Sequence, residues 1–407
     1  TIVKGTSEAV AKAAEDTVVK TTIDRVNGVI GTDLNGDDIS AILSRLAFEH
    51  TISEGNITAC IPPRRWDIKI PEDLIEEIAR IYGYNNIPVT LPVTESTPGE
   101  LTAGQKATRR VRELLEGSGL QEAISYSLTN SEKATRYSIM EGETVLLQNP
   151  MSEDRDSLTQ NLVSGLVDNA NYNRAHQVTD IALYEVSHVF YKTSDEQFDE
   201  YTHVAALLTG DSDKSWLGED DTLDFYSIKG LVEVVLEDFS FAEEITYELA
   251  TNRLGMHPGR TANIFLGDTI VGYVGQLHPA DAKENDLGDT FVFELALDQL
   301  VAADKDVVLY TPLNRYPGSS RDIALLVNEE VTHQDLEKVI QENGGEYLQN
   351  IHLFDLYDGE NIEEGKKSIA YSLFFANPNA TLKEEEIYKA FEAITQALID
   401  TFELEVR

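Results

Sequence analysis

The stretch Pro62-Pro63-Arg64-Arg65-Trp66-Asp67-Ile68-Lys69-Ile70-Pro71-Glu72-Asp73-Leu74-Ile75-Glu76-Glu77-Ile78-Ala79-Arg80-Ile81-Tyr82-Gly83-Tyr84 organises the reading of this chain. Its second half predicts a short helix. Pro71 suits a first helical turn, where its missing N–H is not needed. The acidic Glu72 and Asp73 favour the positive end of the helix dipole, and Gly83 supplies the stop. Leu74, Ile75, Ile78, Ile81 and Tyr82 recur at helical spacing and form one apolar stripe. Asp73 lies three and four residues before Glu76 and Glu77, so these carboxylates are neighbours across one turn. Asp67 precedes the helix in an extended stretch able to fold back over its first turn. Four carboxylates converging with no fixed basic partner suit a hard divalent cation such as Mg²⁺. The competing reading is the ordinary solvated acidic face of a surface helix.

The run from Pro62 to Pro88 resembles the B5 domain of bacterial phenylalanyl-tRNA synthetase beta subunits. The resemblance implies a small winged-helix-like fold. It also implies a Mg²⁺ shared with an alpha subunit, and a residue-by-residue match places its acidic ligands on Asp67, Asp73, Glu76 and Glu77. Arg64, Arg65 and Trp66 suggest RNA contact or, equally, charge partners and a packed indole beside acidic neighbours.

At 407 residues the chain has room for two to four domains. Its 42% hydrophobic and 26% charged content is that of a soluble globular protein. No apolar run approaches a membrane span. Thr1-Ile2-Val3-Lys4-Gly5 shows neither a starting Met nor a signal-peptide pattern, which suggests a piece of a longer protein. The single Cys60 excludes an internal disulfide and fits a reducing, cytoplasmic setting. The net charge of −40 repels nucleic acid at long range, so any RNA contact must be local.

Residues 1–20 read as the remnant of a preceding domain and 21–92 as the compact B5-like unit. Within it Asp24 to Asn27 leads to a turn at Gly31, Asp37-Asp38 caps a helix running to about Phe48, and Ile57–Ile61 is a strand. A Thr/Pro-rich linker follows. Residues 100–303 read as an antiparallel α+β module. Helices are predicted over Thr102–Glu116, Ser157–Tyr172 and Phe225–Phe239. Strands are predicted over Ala123–Leu128, Val145–Leu147, Ile181–Tyr191, Thr202–Thr209, Thr261–Leu266, Ile270–Gln276 and Thr290–Leu297, with a hairpin across Gly267-Asp268.

In this module Gln148-Asn149-Pro150-Met151-Ser152, Asp156-Ser157-Leu158, Tyr184-Glu185-Val186 and Met256-His257-Pro258-Gly259-Arg260 resemble the catalytic-like module of the same family. The resemblance implies a class II synthetase fold without an active site. The residues agree: class II chemistry needs arginines for the ATP phosphates, and the closing strand reads Phe291-Val292-Phe293-Glu294-Leu295-Ala296-Leu297, with no cation. No phosphate-binding glycine loop or nucleophile elbow appears. His188, His203, His257 and His278 lack metal-ligand spacing and read as structural residues.

After a linker at 304–312, residues 313–407 give the order β-α-β-β-α-β, a ferredoxin-like split unit. Its strands are predicted at Asp322–Val327, Tyr347–Leu356, Ser368–Phe375 and Leu404–Arg407, and its helices at His333–Asn343 and Glu384–Phe402. Arg315-Tyr316-Pro317, Ser320-Arg321-Asp322-Ile323-Ala324 and Gly365-Lys366-Lys367-Ser368 resemble the anticodon-binding domain of the family. This stretch holds 8 Lys/Arg and 19 Asp/Glu. A tRNA patch of Arg315, Tyr316, Arg321, Lys366 and Lys367 must therefore outweigh an acidic background locally, with Tyr316 or Tyr371 stacking on unpaired bases. The alternative is that Arg321 is paired and Tyr371 is core.

The resemblance, from about Ile23 to Arg407, identifies the chain as the C-terminal part of a member of the family. It implies an alpha subunit that binds ATP at its own active site and charges tRNA(Phe). It implies an (alpha-beta)₂ heterotetramer, and a role for this chain in docking and tRNA binding with no activity alone. Two other readings are a free-standing nucleic-acid-binding regulator and a metal-dependent hydrolase using the carboxylates near Asp73.

Overall fold

The computed structural model describes residues 4–140, 142–194, 197–211, 222–359, 362–363 and 365–406. Contacts divide the chain into two units, Thr1–Glu100 and Leu101–Arg407.

The first unit runs β1 (Thr17–Thr22), α1 (Ile23–Ile30), α2 (Gly36–Arg45), β2 (Glu49–Ser53), β3 (Asn56–Ile61) and α3 (Pro71–Tyr82). The strands form an antiparallel sheet in the order β1-β3-β2. Local chemistry sets the helix ends. Thr22 Oγ1 accepts the Arg25 N–H at the start of α1, and Gly31, at φ 80°, closes it in the left-handed region. Asn35 and Asp38 cap α2 reciprocally. That helix ends at Arg45 rather than near Phe48, because Ala47 takes φ 55° and the chain turns into β2. β1 pairs with β3 from Thr17 onward, so residue 20 lies inside a strand of this unit. The predicted stripe of α3 is the core contact: Leu74, Ile75 and Ile78 are buried, packing with Ile39, Leu43 and Ile57, while Ile81 and Tyr82 are half-buried.

The second unit begins with a layered module. Its elements are α4 (Ala103–Gly117), β4 (Gln121–Glu122), β5 (Leu128–Thr129), α5 (Ser131–Thr135), β6 (Ser157–Leu158), α6 (Val163–Ala175), β7 (Ile181–Ser194) and β8 (Gln197–Thr209). They continue with α7 (Phe225–Glu237), β9 (Ile245–Leu249), β10 (Met256–Leu266), β11 (Thr269–Leu277), α8 (Pro279–Glu284), β12 (Thr290–Ala296) and α9 (Leu297–Ala302). A seven-stranded sheet in the order β4-β7-β8-β12-β11-β10-β9 is antiparallel except for the short β4–β7 pair. Val111, Leu115, Ile228 and Val232 of α4 and α7 cover one face together with Phe293. Leu166 and Ala170 of α6 cover the other together with Val292. Sandwiched between these layers, β12 is buried along its whole length.

Two predictions fail here. Of the strands expected over Ala123–Leu128 and Val145–Leu147, only Leu128 enters β5, and Leu146 makes a single bridge to Ser157. The helix expected from Ser157 starts at Val163, because Ser157 and Leu158 pair with Thr129 and Leu128. The short elements β9, α8 and α9 were not foreseen.

The unit ends with β13 (Ser319–Asn328), α10 (His333–Asn343), β14 (Leu348–Tyr357), β15 (Lys366–Phe375), α11 (Glu384–Phe402) and β16 (Glu405–Val406). The sheet order β14-β15-β13-β16, with α10 and α11 packed together on Ile323, Leu325, Tyr371 and Leu373, is the predicted ferredoxin-like arrangement. Thr332 and Asp335 cap α10.

Candidate functional site

The acidic helix α3 is not an open cluster of carboxylates. After β3 the chain makes one tight turn at Pro63–Arg65, which aims Arg65 back along the helix. Its guanidinium forks onto Asp67, with Nε 3.0 Å from Oδ1 and Nη2 2.7 Å from Oδ2. Its Nη1 donates to Glu77 Oε2 at 2.7 Å. Arg80, one turn along α3, donates to the same Glu77 oxygen at 2.7 Å and to Oε1 at 3.2 Å. Glu77 is 7% exposed, and the two guanidinium groups offset the cost of burying its charge. The two arginines hold its pKa down at about 2, and Arg65 lowers that of Asp67. Asp73 Oδ2 accepts the Lys69 and Ile70 N–H groups at 2.8 and 3.0 Å, a helix cap that lowers its pKa. Glu72 pairs with Arg25. Glu76 is exposed and makes no side-chain hydrogen bond or ion pair among the described residues.

The expectation of four carboxylates with no fixed basic partner is thus corrected. Asp67 and Glu77 share Arg65, Asp73 serves the backbone, and no three acidic, histidine or cysteine side chains gather into a metal-binding group among the described residues. In this arrangement the set does not fit a divalent cation, because a guanidinium stands between two of its members. The reading of Arg65 as a charge partner of acidic neighbours holds, and sequence distance hid only which one: Arg65 and Glu77 are twelve positions apart. Trp66, read as packed, is 77% exposed with Lys69 Nζ 5.8 Å from its ring centre.

Glu294 on β12 is fully buried, with Oε1 2.7 Å from His203 Nδ1 on β8 and Oε2 accepting the Leu162 N–H at the start of α6. Where β12 runs into α9 stand Asp298, which accepts the Thr202 N–H, and Gln299; neither is a cation. Glu185 accepts both the N–H and the hydroxyl of Ser125, and burial raises its pKa. The other histidines do structural work. His257 Nδ1 accepts the Gly259 N–H, His278 Nδ1 accepts the Ala280 N–H at the head of α8, and His188 lies 3.6 Å from Glu200. Ile124, Tyr126, Leu146 and Met151, in the irregular segment between β4 and β6, are exposed apolar residues, and Arg155 stacks on the Tyr126 ring at 4.0 Å.

The five residues expected to meet tRNA do not form one patch. Arg315 and Tyr316 precede β13, and Arg321 lies near its start, whereas Lys366 and Lys367 pair with Asn328 and Val327 at its far end. Seven residues of strand at roughly 3.3 Å each separate the groups by about 23 Å. Arg321 shares the buried parity of Ile323 and pairs with Glu384 of α11; Lys367 Nζ donates to the Glu329 carbonyl; Lys366 lies 2.7 Å from Glu363. Tyr371 is core, hydrogen-bonded to His333 at 2.8 Å. The opposite sheet face, away from α10 and α11, was missed. There the register sets Phe374 beside Asn350 and Ser320, and Ser372 between His352 and Asp322. Phe374 is 38% exposed. The alternation of β15 holds the signal: Ile369, Tyr371, Leu373 and Phe375 are core, so Ser368, Ser372 and Phe374 face away.

Comparison with known proteins places these parts together. A family model for the tRNA synthetase B5 domain matches residues 19–84. One for the phenylalanyl tRNA synthetase beta chain CLM domain matches 87–297, more than half of the chain. One for the ferredoxin-fold anticodon binding domain matches 314–407. The modules and their order are those of an aminoacyl-tRNA synthetase component.

Among curated proteins, the chain is 43% identical over 409 residues to the phenylalanine–tRNA ligase beta subunit of Bacillus licheniformis, covering 100% of this chain and 51% of that one. It is 45% identical over 386 residues to that of Latilactobacillus sakei (94% and 48%) and 43% identical over 408 residues to that of Bacillus subtilis (100% and 51%). The chain belongs to the phenylalanyl-tRNA synthetase beta chain family. It spans about half the length of the curated relatives it matches. No helix among the described residues is long and apolar enough to cross a membrane.

Proposed function

We propose that the chain is the C-terminal part of a cytoplasmic phenylalanine–tRNA ligase beta subunit. It supports ATP-dependent charging of tRNA(Phe) by docking a catalytic alpha subunit in an (alpha-beta)₂ heterotetramer and by binding tRNA. ATP binds the alpha subunit. The observation that carries this reading is the match of three successive modules, the middle one built on a sheet whose central strand β12 carries the buried Glu294, paired with His203, in place of a cation. The exposed Ile124, Tyr126, Leu146 and Met151 are proposed as part of the docking surface. For tRNA we propose Arg315 and Tyr316 beside the open face bearing Phe374 and His352, with Arg321, Lys366 and Lys367 as peripheral charges. Asp67, Asp73, Glu76 and Glu77 are proposed as Mg²⁺ ligands of the assembled enzyme only, on the strength of their sequence match.

Co-purification with a bacterial phenylalanyl-tRNA synthetase alpha subunit tests this. A stable complex that charges tRNA(Phe), while this chain alone does not, is the expected result. A complex weakened in the Asp73→Ala/Glu76→Ala variant supports the shared ion; an indifferent one removes it. Specific nucleic-acid binding without any alpha-subunit complex would favour the free-standing regulator instead.

A further inference from the structure

We infer that Arg65 is the resident counter-ion of the Asp67–Glu77 pair, so that the chain by itself needs no divalent ion there and admits one only when Arg65 is withdrawn. Arg65 meets both carboxylates at 2.7 Å, using three of its nitrogens on two acceptor groups. Only Glu77 of the pair is deeply placed, and it is the one bonded by two arginines. The Arg65 side chain is itself only 26% exposed, and its guanidinium carbon lies 5.9 Å from the centre of the Phe48 ring, so apolar contact on one side and two carboxylates on the other hold the planar group in place. A divalent ion bridging Asp67 and Glu77 competes for the oxygens that the guanidinium uses. Arg80, on the solvent side of Glu77, does not reach Asp67 and cannot substitute for Arg65 across the pair. The contact concerns this chain's own residues and does not depend on the alpha-subunit reading.

The test uses the whole chain and its Arg65→Met variant. Thermal unfolding is followed in EDTA and in millimolar Mg²⁺, and bound Mn²⁺ is counted by electron paramagnetic resonance. The wild-type midpoint for the first unit is expected to be the same in both buffers. Arg65→Met is expected to melt roughly 5 °C lower in EDTA, to recover in Mg²⁺, and to bind one more Mn²⁺ than the wild type. Adding Glu77→Gln to Arg65→Met should abolish that extra ion, which separates it from loose binding elsewhere on an acidic surface. A wild-type midpoint that rises in Mg²⁺ and loses this response in Glu77→Gln would overturn the inference. So would an Arg65→Met chain that gains no ion. Should Arg65→Met not fold, Arg65→Lys keeps a charge but not the fork, and a gain of Mn²⁺ in that variant decides the same question.

Discussion

Glu77 and Glu294 are both sealed from water, and they are stabilised in different ways. Glu77 lies under the rim of a small domain, where two arginines from the surface reach it. Glu294 lies mid-sheet and takes its hydrogen bonds from a histidine ring and a backbone N–H, while the guanidinium of Arg253 stacks on the ring of its cross-strand neighbour Tyr273. The difference follows from depth. A helix on a unit of about a hundred residues presents its buried groups close to the surface, while β12 has helices on both faces. The first arrangement can exchange one cation for another. The second is fixed within the sheet by its partners on β8 and at the start of α6.

Replacing Glu294 breaks this comparison most severely. Glu294→Leu leaves the facing ring nitrogen of His203 and the Leu162 N–H without acceptors. At about 1–3 kcal/mol for each buried orphan, the expected loss is roughly 3–5 kcal/mol in denaturant unfolding. Adding His203→Leu should recover a large part of it, since a matched apolar pair costs less than a half-removed polar one. A loss under about 1 kcal/mol would mean that the pair is not what holds α6 to the sheet.

Asp281 is the intermediate case. It is 6% exposed and lies in the same module as Glu294, yet it is held as Glu77 is: Arg136 grips both its oxygens at 2.7 Å, and the Tyr137 hydroxyl donates at 3.1 Å. Asp281→Asn keeps the shape and removes the charge, so the expected cost is about 1.5–3 kcal/mol, that of a hydrogen bond to a charged group. An equal loss in Arg136→Met and no further loss in the double variant would show the pair acting as one unit. Additive losses would place the stabilisation elsewhere.

How much of this was legible in the sequence depended on how local each cause is. Helix α3 could be read from Pro71 to Gly83, and α10 from Thr332 to Gly344, because proline, cap and glycine signals lie within a turn of the ends they set. The ferredoxin-like order followed from similar signals. The strands expected at 123–128 and 145–147 could not be read, because these stretches are held by the two-residue β5–β6 pair and by isolated bridges such as Leu146–Ser157 rather than by a long periodic partner. The carboxylates of α3 were found, and Arg65 was read as a charge partner of acidic neighbours without the particular carboxylates being named. Helical spacing shows which acids share a face, while only the turn at Pro63–Arg65 shows that a cation folds back onto them. The tRNA candidates do not form a single patch for the converse reason, since motif matching ignores the length of β13.

The smallest expected effect, and the finest test of the contrast, is in pH. Glu77 has its folded-state pKa lowered from 4.5 to about 2 by Arg65 and Arg80. The unfolded chain therefore takes up the proton first, and the stability due to Glu77 is complete above about pH 4.5 and fades as the pH falls towards 2. Glu185 is shifted the other way, raised by burial despite its bonds to Ser125. Its folded state holds the proton more tightly, so its contribution is complete below its unfolded value and is lost as the pH rises through the raised one. Hydrogen exchange followed separately in α3 and in β7 between pH 3 and 7 distinguishes the two. Glu77→Gln should flatten the acid-side loss of protection in α3 and leave β7 unchanged. Glu185→Gln should remove a loss of protection in β7 on the rising side. Equal acid limbs for the wild type and Glu77→Gln would mean that the arginines neutralise Glu77 no better than solvent does, and that the guanidinium clamp on α3 carries no stability of its own.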